Sequence, residues 1–505
     1  MNELPPHAVG HPLPRSGASG GEDKPLSASA GGLRRESTTV SGPPRRLFGT
    51  DGIRGVVGVD YTPAFVADVG AALAKFLQGN GHVLVGWDFR TTSPGIARIL
   101  TGALMMNGLE VTEVGTMPTP CLQFNVKALG ARAGTMVTAS HNPTEFNGIK
   151  FSGPDGLEIP RDAEEFIEKA IAERQFPSTP WNRAGSVRTD SRGLERYVRS
   201  IRAHVDEAAI RRMRPRVVLD CGNGTSALTS PMLLRELGCD LITLNANPDG
   251  HFPGHPSEPT EENLADLRRT VVQTGASLGI AHDGDSDRVA FIDETGHYIP
   301  GEETLAIFAR QTLQATPRST IVTAVTSTSC VDDVVTAEGG RLLVTRSGSL
   351  PVARAILENS ARFGGEENGG YYWPEHQIAR DGPMSSAKML ELLAVTGTKL
   401  SQLAATLPRY YVIKSKIPLP YEVKADVIAD VREILEHRAR RLITIDGVKA
   451  FFDDGWLLVR PSGTEPICRI FAESRHPDRA RGLIDEGIRM VTERVAARVV
   501  GGAPR

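Results

Sequence analysis

No apolar run in the 505-residue chain approaches the roughly 18 residues that span a bilayer, so no membrane role is expected. The first residues lack the apolar core of a secretory signal, and a cytoplasmic protein is expected. Cysteine is sparse and unpatterned. Cys121, Cys221, Cys239, Cys330 and Cys468 show no C-x-x-C spacing and are odd in number, which argues against a secreted disulfide framework. A bias of charge is missing too. The formal net charge of -3 leaves no footprint for nucleic acid or an anionic membrane, so an anionic ligand must be gripped by a local cluster. Large apolar side chains are scarce over residues 1–44, where Gly, Pro and Ser dominate, and this stretch is expected to be a disordered extension.

What the sequence does contain is ordinary for a folded chain, with 40% apolar and 23% charged residues. Its length exceeds what one hydrophobic core holds, so three or four domains are expected. From Arg45 onward, strand-like and helix-like segments alternate. Thr62-Pro63 opens a helix through AFVADVGAALAKFL, and HVLVGWD follows as a strand. TGALMMNGLEVTEVG reads as helix, glycine stop and strand, and RVVLDCGNGTSA and TIVTAVTSTS begin further units. Such alternation favours parallel α/β layers. Near the C-terminus the pattern changes. Short strands around VKAFFDDGWLLVRPSG precede a helix whose Ile484, Ile488, Val491 and Val495 share one face, which predicts a smaller α+β domain.

Four loops carry the chemistry. TASHNPTEFNGIK sets Ser140 beside His141, Asn142 and Pro143, with Lys150 further on; alone, it reads equally as a surface turn. In AHDGDSDRVAFID, Asp283, Asp285 and Asp287 alternate along an extended loop, so three carboxylates can converge on one hard cation, with Arg288 beside them. An EF-hand calcium loop competes with this reading, because Glu294 falls at the twelfth position. The glycine required at the sixth is Arg288, however, and the strand-like VAFI favours Mg²⁺ at a strand end. GGEENGG frames Glu366, Glu367 and Asn368 with glycines such as Gly369, which lets carboxylates and backbone approach a polyhydroxylated ligand. VRPSGTEPICRIF offers Arg460, Ser462, Gly463 and Thr464, with Arg469 beyond. Forked guanidinium, hydroxyls and bare backbone N–H groups suit a phosphate dianion.

Together with FGTDGIRG at residues 48 to 55, these motifs resemble the α-D-phosphohexomutase family, the phosphoglucosamine, phosphomannose and phosphoglucose mutases, in order from about residue 46 to 475. The resemblance implies a four-domain, heart-shaped α/β protein, with three similar mixed α/β domains and a smaller C-terminal α+β domain around a central cleft. Its boundaries would be 45–193, 194–299, 300–410 and 411–500. It further implies that Ser140 carries a phosphoryl group and joins Asp283, Asp285 and Asp287 in holding Mg²⁺. Arg54, His141 and Arg288 would surround the transfer, and Lys150 would be the base. Glu366, Asn368 and Gly369 would read the sugar, while Arg460, Ser462, Gly463, Thr464 and Arg469 would hold its far phosphate.

The implied reaction interconverts hexose 6-phosphate and hexose 1-phosphate through a hexose 1,6-bisphosphate. FGTDGIRG leans toward glucosamine phosphate, with phosphomannomutase and phosphoglucomutase activity as alternatives. The partners are then small hexose phosphates, not nucleic acid or membrane, and the protein a monomer or homodimer. Free lysine titrates near 10.4, so a base at Lys150 needs lowering by roughly three units, which Mg²⁺ and arginines supply by like-charge repulsion. The fit is incomplete at three places: Asn368 stands where many bacterial members have serine, Gly370 where they have histidine, and Ser349 in an acid's place after Arg346. His376 could fill the gap at Gly370, but beside Pro374 and Glu375 it reads better as a surface or cap residue. Two other classes stay open, a sugar-phosphate phosphatase and a non-catalytic sugar-phosphate binding protein.

Overall fold

β-branched residues set many of the strands, as in RVVLD over Arg216–Asp220 and TIVTA over Thr320–Ala324. The computed structural model describes residues 46–501 apart from 50, 177, 178 and 464. The extension expected over 1–44 lies outside the described residues.

Four sheets follow one another along the chain. The first contains β1 (Ile53–Val56), β2 (His82–Trp87), β3 (Glu110–Thr116), β4 (Ala133–Val137), β5 (Phe146–Ser152) and β6 (Val187–Thr189), in the order β1-β5-β4-β2-β3-β6. The second contains β7 (Arg216–Asp220), β8 (Asp240–Leu244), β9 (Leu278–His282), β10 (Val289–Ile292) and β11 (Tyr298–Ile299), in the order β11-β10-β9-β7-β8. The third runs β13-β12-β14-β15-β16, from β12 (Thr320–Ala324), β13 (Arg341–Thr345), β14 (Phe363–Gly365), β15 (Tyr371–Trp373) and β16 (Gln377–Arg380). The fourth runs β17-β21-β20-β19-β18, from β17 (Tyr411–Pro418), β18 (Arg441–Ile443), β19 (Val448–Phe451), β20 (Gly455–Pro461) and β21 (Ile467–Ser474).

The parallel layers expected from the alternation are present, with one addition. The first three sheets have a parallel centre, as in β2–β4, β7–β9 and β12–β14, to which an antiparallel hairpin is added: β4–β5, β9–β10 and β14–β15. The connections at these hairpins are too short for the crossover that parallel neighbours require. They are also where the chemistry sits. Ser140 lies between β4 and β5, the three aspartates between β9 and β10, Glu366 between β14 and β15, and Ser462 between β20 and β21 of the all-antiparallel fourth sheet.

The central strands β4 and β9 are covered on both faces, as their unbroken burial shows. Leu122 and Met136 of the first sheet's layer, Val217 and Phe291 of the second, and Phe308 and Trp373 of the third lie in one continuous apolar core. The fourth domain has its own core around Val431, Leu457, Ile470 and Val491, with Ile488 and Val495 packed against it from the closing helix Pro477–Gly501. It touches the third domain through a small cluster of Val325, Trp456 and Leu458. Polar groups complete that seat. Buried Glu473 accepts from Trp456 Nε1 at 2.6 Å and from the backbone N–H of Ser329 at 3.0 Å, at the start of the helix Ser329–Ala337. Lys449 Nζ donates to the carbonyls of Val325 and Ser327 at 2.9 and 2.8 Å.

Candidate active site

The serine loop is built by a buried arginine. Arg90, 1% exposed, donates to the carbonyls of Ser140, Asn142, Pro143 and Phe146 at 2.6 to 3.1 Å, and Asp88 lies 3.3 Å from its Nε. Thr138 Oγ1 accepts from the Ser140 N–H at 2.9 Å and donates to Asp88 at 2.7 Å. Held this way, Ser140 takes a φ of 52°, the left-handed region that costs an ordinary residue about 1–2 kcal/mol. Its Oγ is aimed at the second domain and donates to Asp283 Oδ2 at 2.9 Å.

The DGDSDR turn closes against that serine. Gly284 allows the approach, since a Cβ there would lie 2.7 Å from the Ser140 carbonyl oxygen. Asp283, Asp285 and Asp287 are buried, with one oxygen of each within 4.8 Å of the others. Burial, together with Asp287 and Asp285, pushes the Asp283 carboxyl well above the usual carboxylate range. Burial would raise Asp285 as well, but the Lys150 charge and hydrogen bond outweigh it and hold that carboxyl low. Asp285 Oδ2 accepts from Thr119 Oγ1 at 2.6 Å and lies 2.8 Å from Lys150 Nζ. The Oδ1 atoms of Asp285 and Asp287 are buried without a hydrogen-bond partner, which is what a set of ligands for a hard cation presents. The EF-hand alternative gains nothing here, because Glu294 turns away to accept from Ser401.

Lys150, on β5, is buried and lies 2.6 Å from Asp51, 2.8 Å from Asp285 and 3.1 Å from Asp287. The expectation that like charges lower its amine is not met by the protein's own groups. Burial pushes it down, but the charges of Asp285, Asp287 and Asp51 prevail and hold it above the usual lysine range. Arg54 reaches Asp51 at 3.1 Å and Asn142 Oδ1 at 2.8 Å. His141 Nδ1 stands 3.2 Å from Ser140 Oγ, and burial together with Arg288 and Arg54 pushes its imidazole down to about 2, so it is neutral. Arg288 pairs with Glu258 at 2.5 Å, which also lies 3.4 Å from His141 Nε2. Ser140, His141, Lys150, Arg54, Arg288 and the three aspartates thus meet at one point, drawn from two domains.

Four family models match the chain in succession, described as phosphoglucomutase/phosphomannomutase alpha/beta/alpha domain I over residues 45–178, domain II over 195–296, domain III over 300–411 and C-terminal domain over 415–489. The chain belongs to the α-D-phosphohexomutase family. It is an enzyme of the isomerase type. This phosphohexomutase is 40% identical to the phosphoglucomutase/phosphomannomutase of Thermococcus kodakarensis over 452 residues, covering 89% of the chain and 99% of that relative. It is 38% identical to the phosphoglucosamine/phosphogalactosamine mutase of Sulfurisphaera tokodaii, over 87% of the chain and 98% of the relative. Among solved structures it resembles a phosphoglucomutase/phosphomannomutase family protein from Burkholderia thailandensis, with a TM-score of 0.77 and 27% identity, covering 88% and 97% of the two chains.

The phosphohexomutase's other predicted residues are arranged less tightly. Glu366 is buried, with Oε1 accepting from the Gly348 N–H at 3.0 Å and Oε2 without a hydrogen bond, 3.9 Å from Arg380 Nη1. Asn368 is exposed, and its Oδ1 accepts from the Gly370 N–H at 3.1 Å. Gly369, at φ 90°, backs onto β10, where a Cβ would meet the Val289 carbonyl at 2.4 Å; it shapes the loop. Arg460 pairs with Asp446 at 2.6 Å, and Asp446 accepts from the Ser347 N–H at 3.1 Å, which joins the fourth domain's loop to the third. Ser462 Oγ accepts from the Glu465 N–H, Gly463 is exposed, and exposed Arg469 lies 3.3 Å from Glu465. Thr464 lies outside the described residues. His376 is not a surface residue. It is buried, stacked on Phe124 with ring centroids 5.2 Å apart, and 3.4 Å from Asp381. Sequence reasoning did not single out Asp51, Arg90, Glu158, Glu258 or Arg380. Arg380 is the most central of these, with Nη2 2.6 Å from Asp287 and 2.9 Å from Asp51.

Proposed function

We propose that this phosphohexomutase interconverts hexose 6-phosphate and hexose 1-phosphate through a phosphorylated Ser140 and a hexose 1,6-bisphosphate, with glucosamine 6-phosphate to glucosamine 1-phosphate placed first. The observation that carries the reading is the aim of Ser140 Oγ at Asp283, 2.9 Å away, inside a cage whose Asp285 and Asp287 each keep a buried oxygen without a hydrogen bond. Phosphoryl transfer is mostly positioning and charge neutralisation, and this arrangement supplies both. Mg²⁺ bound by Ser140 and the three aspartates would neutralise oxygens of the transferring group. Arg54 and Arg288 flank the serine and supply further positive charge, while neutral His141 can hydrogen-bond to it. Lys150 is the candidate acceptor for the proton of the attacking sugar hydroxyl. To accept it Lys150 must first give up its own proton, and a cation bound by Asp285 and Asp287 would withdraw two of the three carboxylates that hold the amine charged. Glu366 and Asn368 would meet the sugar hydroxyls. Arg460, Ser462, Gly463, Thr464 and Arg469 would grip the distal phosphate, and because a phosphate presents the same face at either end of the sugar, one grip serves both half-reactions.

The test is phosphorus NMR of the protein with Mg²⁺ and a trace of hexose 1,6-bisphosphate, given glucosamine 6-phosphate, mannose 1-phosphate and glucose 1-phosphate separately, beside Ser140→Ala. Fast isomerisation of glucosamine 6-phosphate and a dead mutant are expected. A faster reaction with mannose or glucose phosphate moves the substrate assignment. Release of inorganic phosphate alone would make the protein a phosphatase.

A further inference from the structure

Arg380 ends β16, and the next residue fixes it there. Asp381 is fully buried, accepts from the Met384 N–H at 2.8 Å as cap of the helix Gly382–Thr396, and accepts from Tyr197 Oη at 2.6 Å. The arginine therefore leaves a rigid strand end and runs, 7% exposed, into the acidic site. Its path crosses residue 370. A Cβ at Gly370 would lie 2.4 Å from Arg380 Cδ and 3.0 Å from Cγ, so the stem of the arginine fills the space that a side chain at 370 would need. At its end Nη2 takes Asp287 Oδ2 at 2.6 Å and Asp51 Oδ2 at 2.9 Å, and Nη1 lies 3.9 Å from Glu366 Oε2.

The two oxygens of Asp287 are thereby made unequal. Oδ2 is held by Arg380 at 2.6 Å and by Lys150 at 3.1 Å, whereas Oδ1 is buried without a hydrogen bond, its nearest charge being Arg288 Nε at 3.9 Å. Asp285 shows the same division, with Oδ2 held by Thr119 and Lys150 and Oδ1 unpartnered. Asp283 has both oxygens engaged, by Ser140 Oγ and by the Arg288 N–H. Single oxygens at fixed directions suit Mg²⁺, which requires near-octahedral geometry, whereas Ca²⁺ accepts both oxygens of one carboxylate and a larger shell.

We propose that Arg380 is a positioning residue that sets the choice of cation: by occupying Oδ2 of Asp287 it leaves one oxygen for the ion, and so favours Mg²⁺ over Ca²⁺. This rests on the reading of the acidic loop as a divalent-cation site. Gly370 belongs to the same device, because any larger residue there displaces the arginine.

The test is titration calorimetry of the full chain with Mg²⁺ and with Ca²⁺, for wild type, Arg380→Gln, Arg380→Lys, Gly370→Ala and the Gly370→Ala/Arg380→Gln double variant. Removing a positive charge acts on both divalent ions alike and cancels in the ratio of their dissociation constants, so the ratio reads coordination rather than charge or general loss of structure. Arg380→Gln should shift the ratio toward Ca²⁺ by about tenfold, the usual scale for losing a group that orients a metal ligand. Gly370→Ala should shift it the same way, the double variant should shift it no further, and Arg380→Lys, which keeps a donor for Asp287, should fall between. An unchanged ratio in Arg380→Gln with tight Mg²⁺ binding in wild type overturns this inference alone. If wild type binds neither ion, the inference falls together with the cation-site reading.

Discussion

Arg90 Nη2 donates to the carbonyl of Ser140 at 3.0 Å, and the same guanidinium holds the carbonyls of Asn142, Pro143 and Phe146. The loop that presents the serine is thus wrapped around one side chain, and its left-handed φ is kept by that clamp. Arg90→Ala should lower kcat by about 100-fold, the scale on which small misplacements act, with Mg²⁺ affinity little changed. Arg90→Lys should recover little, since an ammonium cannot fork between several carbonyls. Steady-state kinetics beside calorimetry would check both.

Gly284→Ala sets a methyl 2.7 Å from the Ser140 carbonyl oxygen, so the two loops must part. Overpacking of this kind costs about 1–3 kcal/mol, and thermal unfolding should register it. Activity should fall further than stability predicts, because Ser140 Oγ is drawn away from Asp283.

Glu158 lies between Ser349 Oγ, at 2.6 Å, and Arg380, at 4.0 Å. Burial, then the Asp51 charge, raises its carboxyl to about 8. Between its unfolded value, near 4.3, and about 8 the folded state binds the extra proton, so this group weakens the fold progressively as pH rises through that window. Glu158→Gln should remove the trend, giving a melting temperature that falls less between pH 5 and pH 9 than wild type's. Parallel curves for the two proteins would contradict this.

Glu473 joins the fourth domain to the third through Trp456 and the Ser329 N–H. Glu473→Ala takes the carboxylate from the Ser329 N–H and leaves Trp456 Nε1 only Ser329 Oγ, at 3.2 Å, at a cost of about 1–3 kcal/mol. Hydrogen exchange should then quicken across residues 411–500 and stay slow in the core shared by the first three domains. Uniform quickening would show that the seat is not a separate unit.

Much of this was legible in the sequence where function depends on residue type at short spacing. Ser140 with His141, and Asp283, Asp285 and Asp287, declare themselves because one turn must offer them together. Helix starts were equally plain: Thr62 accepts from the Phe65 N–H ahead of Pro63, as its position suggests. The antiparallel hairpins were missed because strand-and-helix alternation dominates the pattern, although the short stretch from β9 to β10 cannot hold a crossover. Arg380 and Asp51 were passed over for a different reason. Asp51 lies within FGTDGIRG and Arg380 opens the stretch RDGPMSSAKMLE, but their partners are set by domain docking rather than by local spacing. Arg90 follows the strand HVLVGWD by two residues, and no local spacing ties it to the serine loop that wraps around it.

The hydrogen bond from Ser140 to Asp283 spans 143 positions, and that from Arg380 to Asp51 spans 329. During synthesis the serine therefore leaves the ribosome well before the carboxylate that holds it, and Asp51 far ahead of its arginine. Contacts of such separation form late, after the long loops between them have closed. A product truncated before residue 380 carries the serine and its loop but lacks the guanidinium that ties the three domains at Asp51 and Asp287.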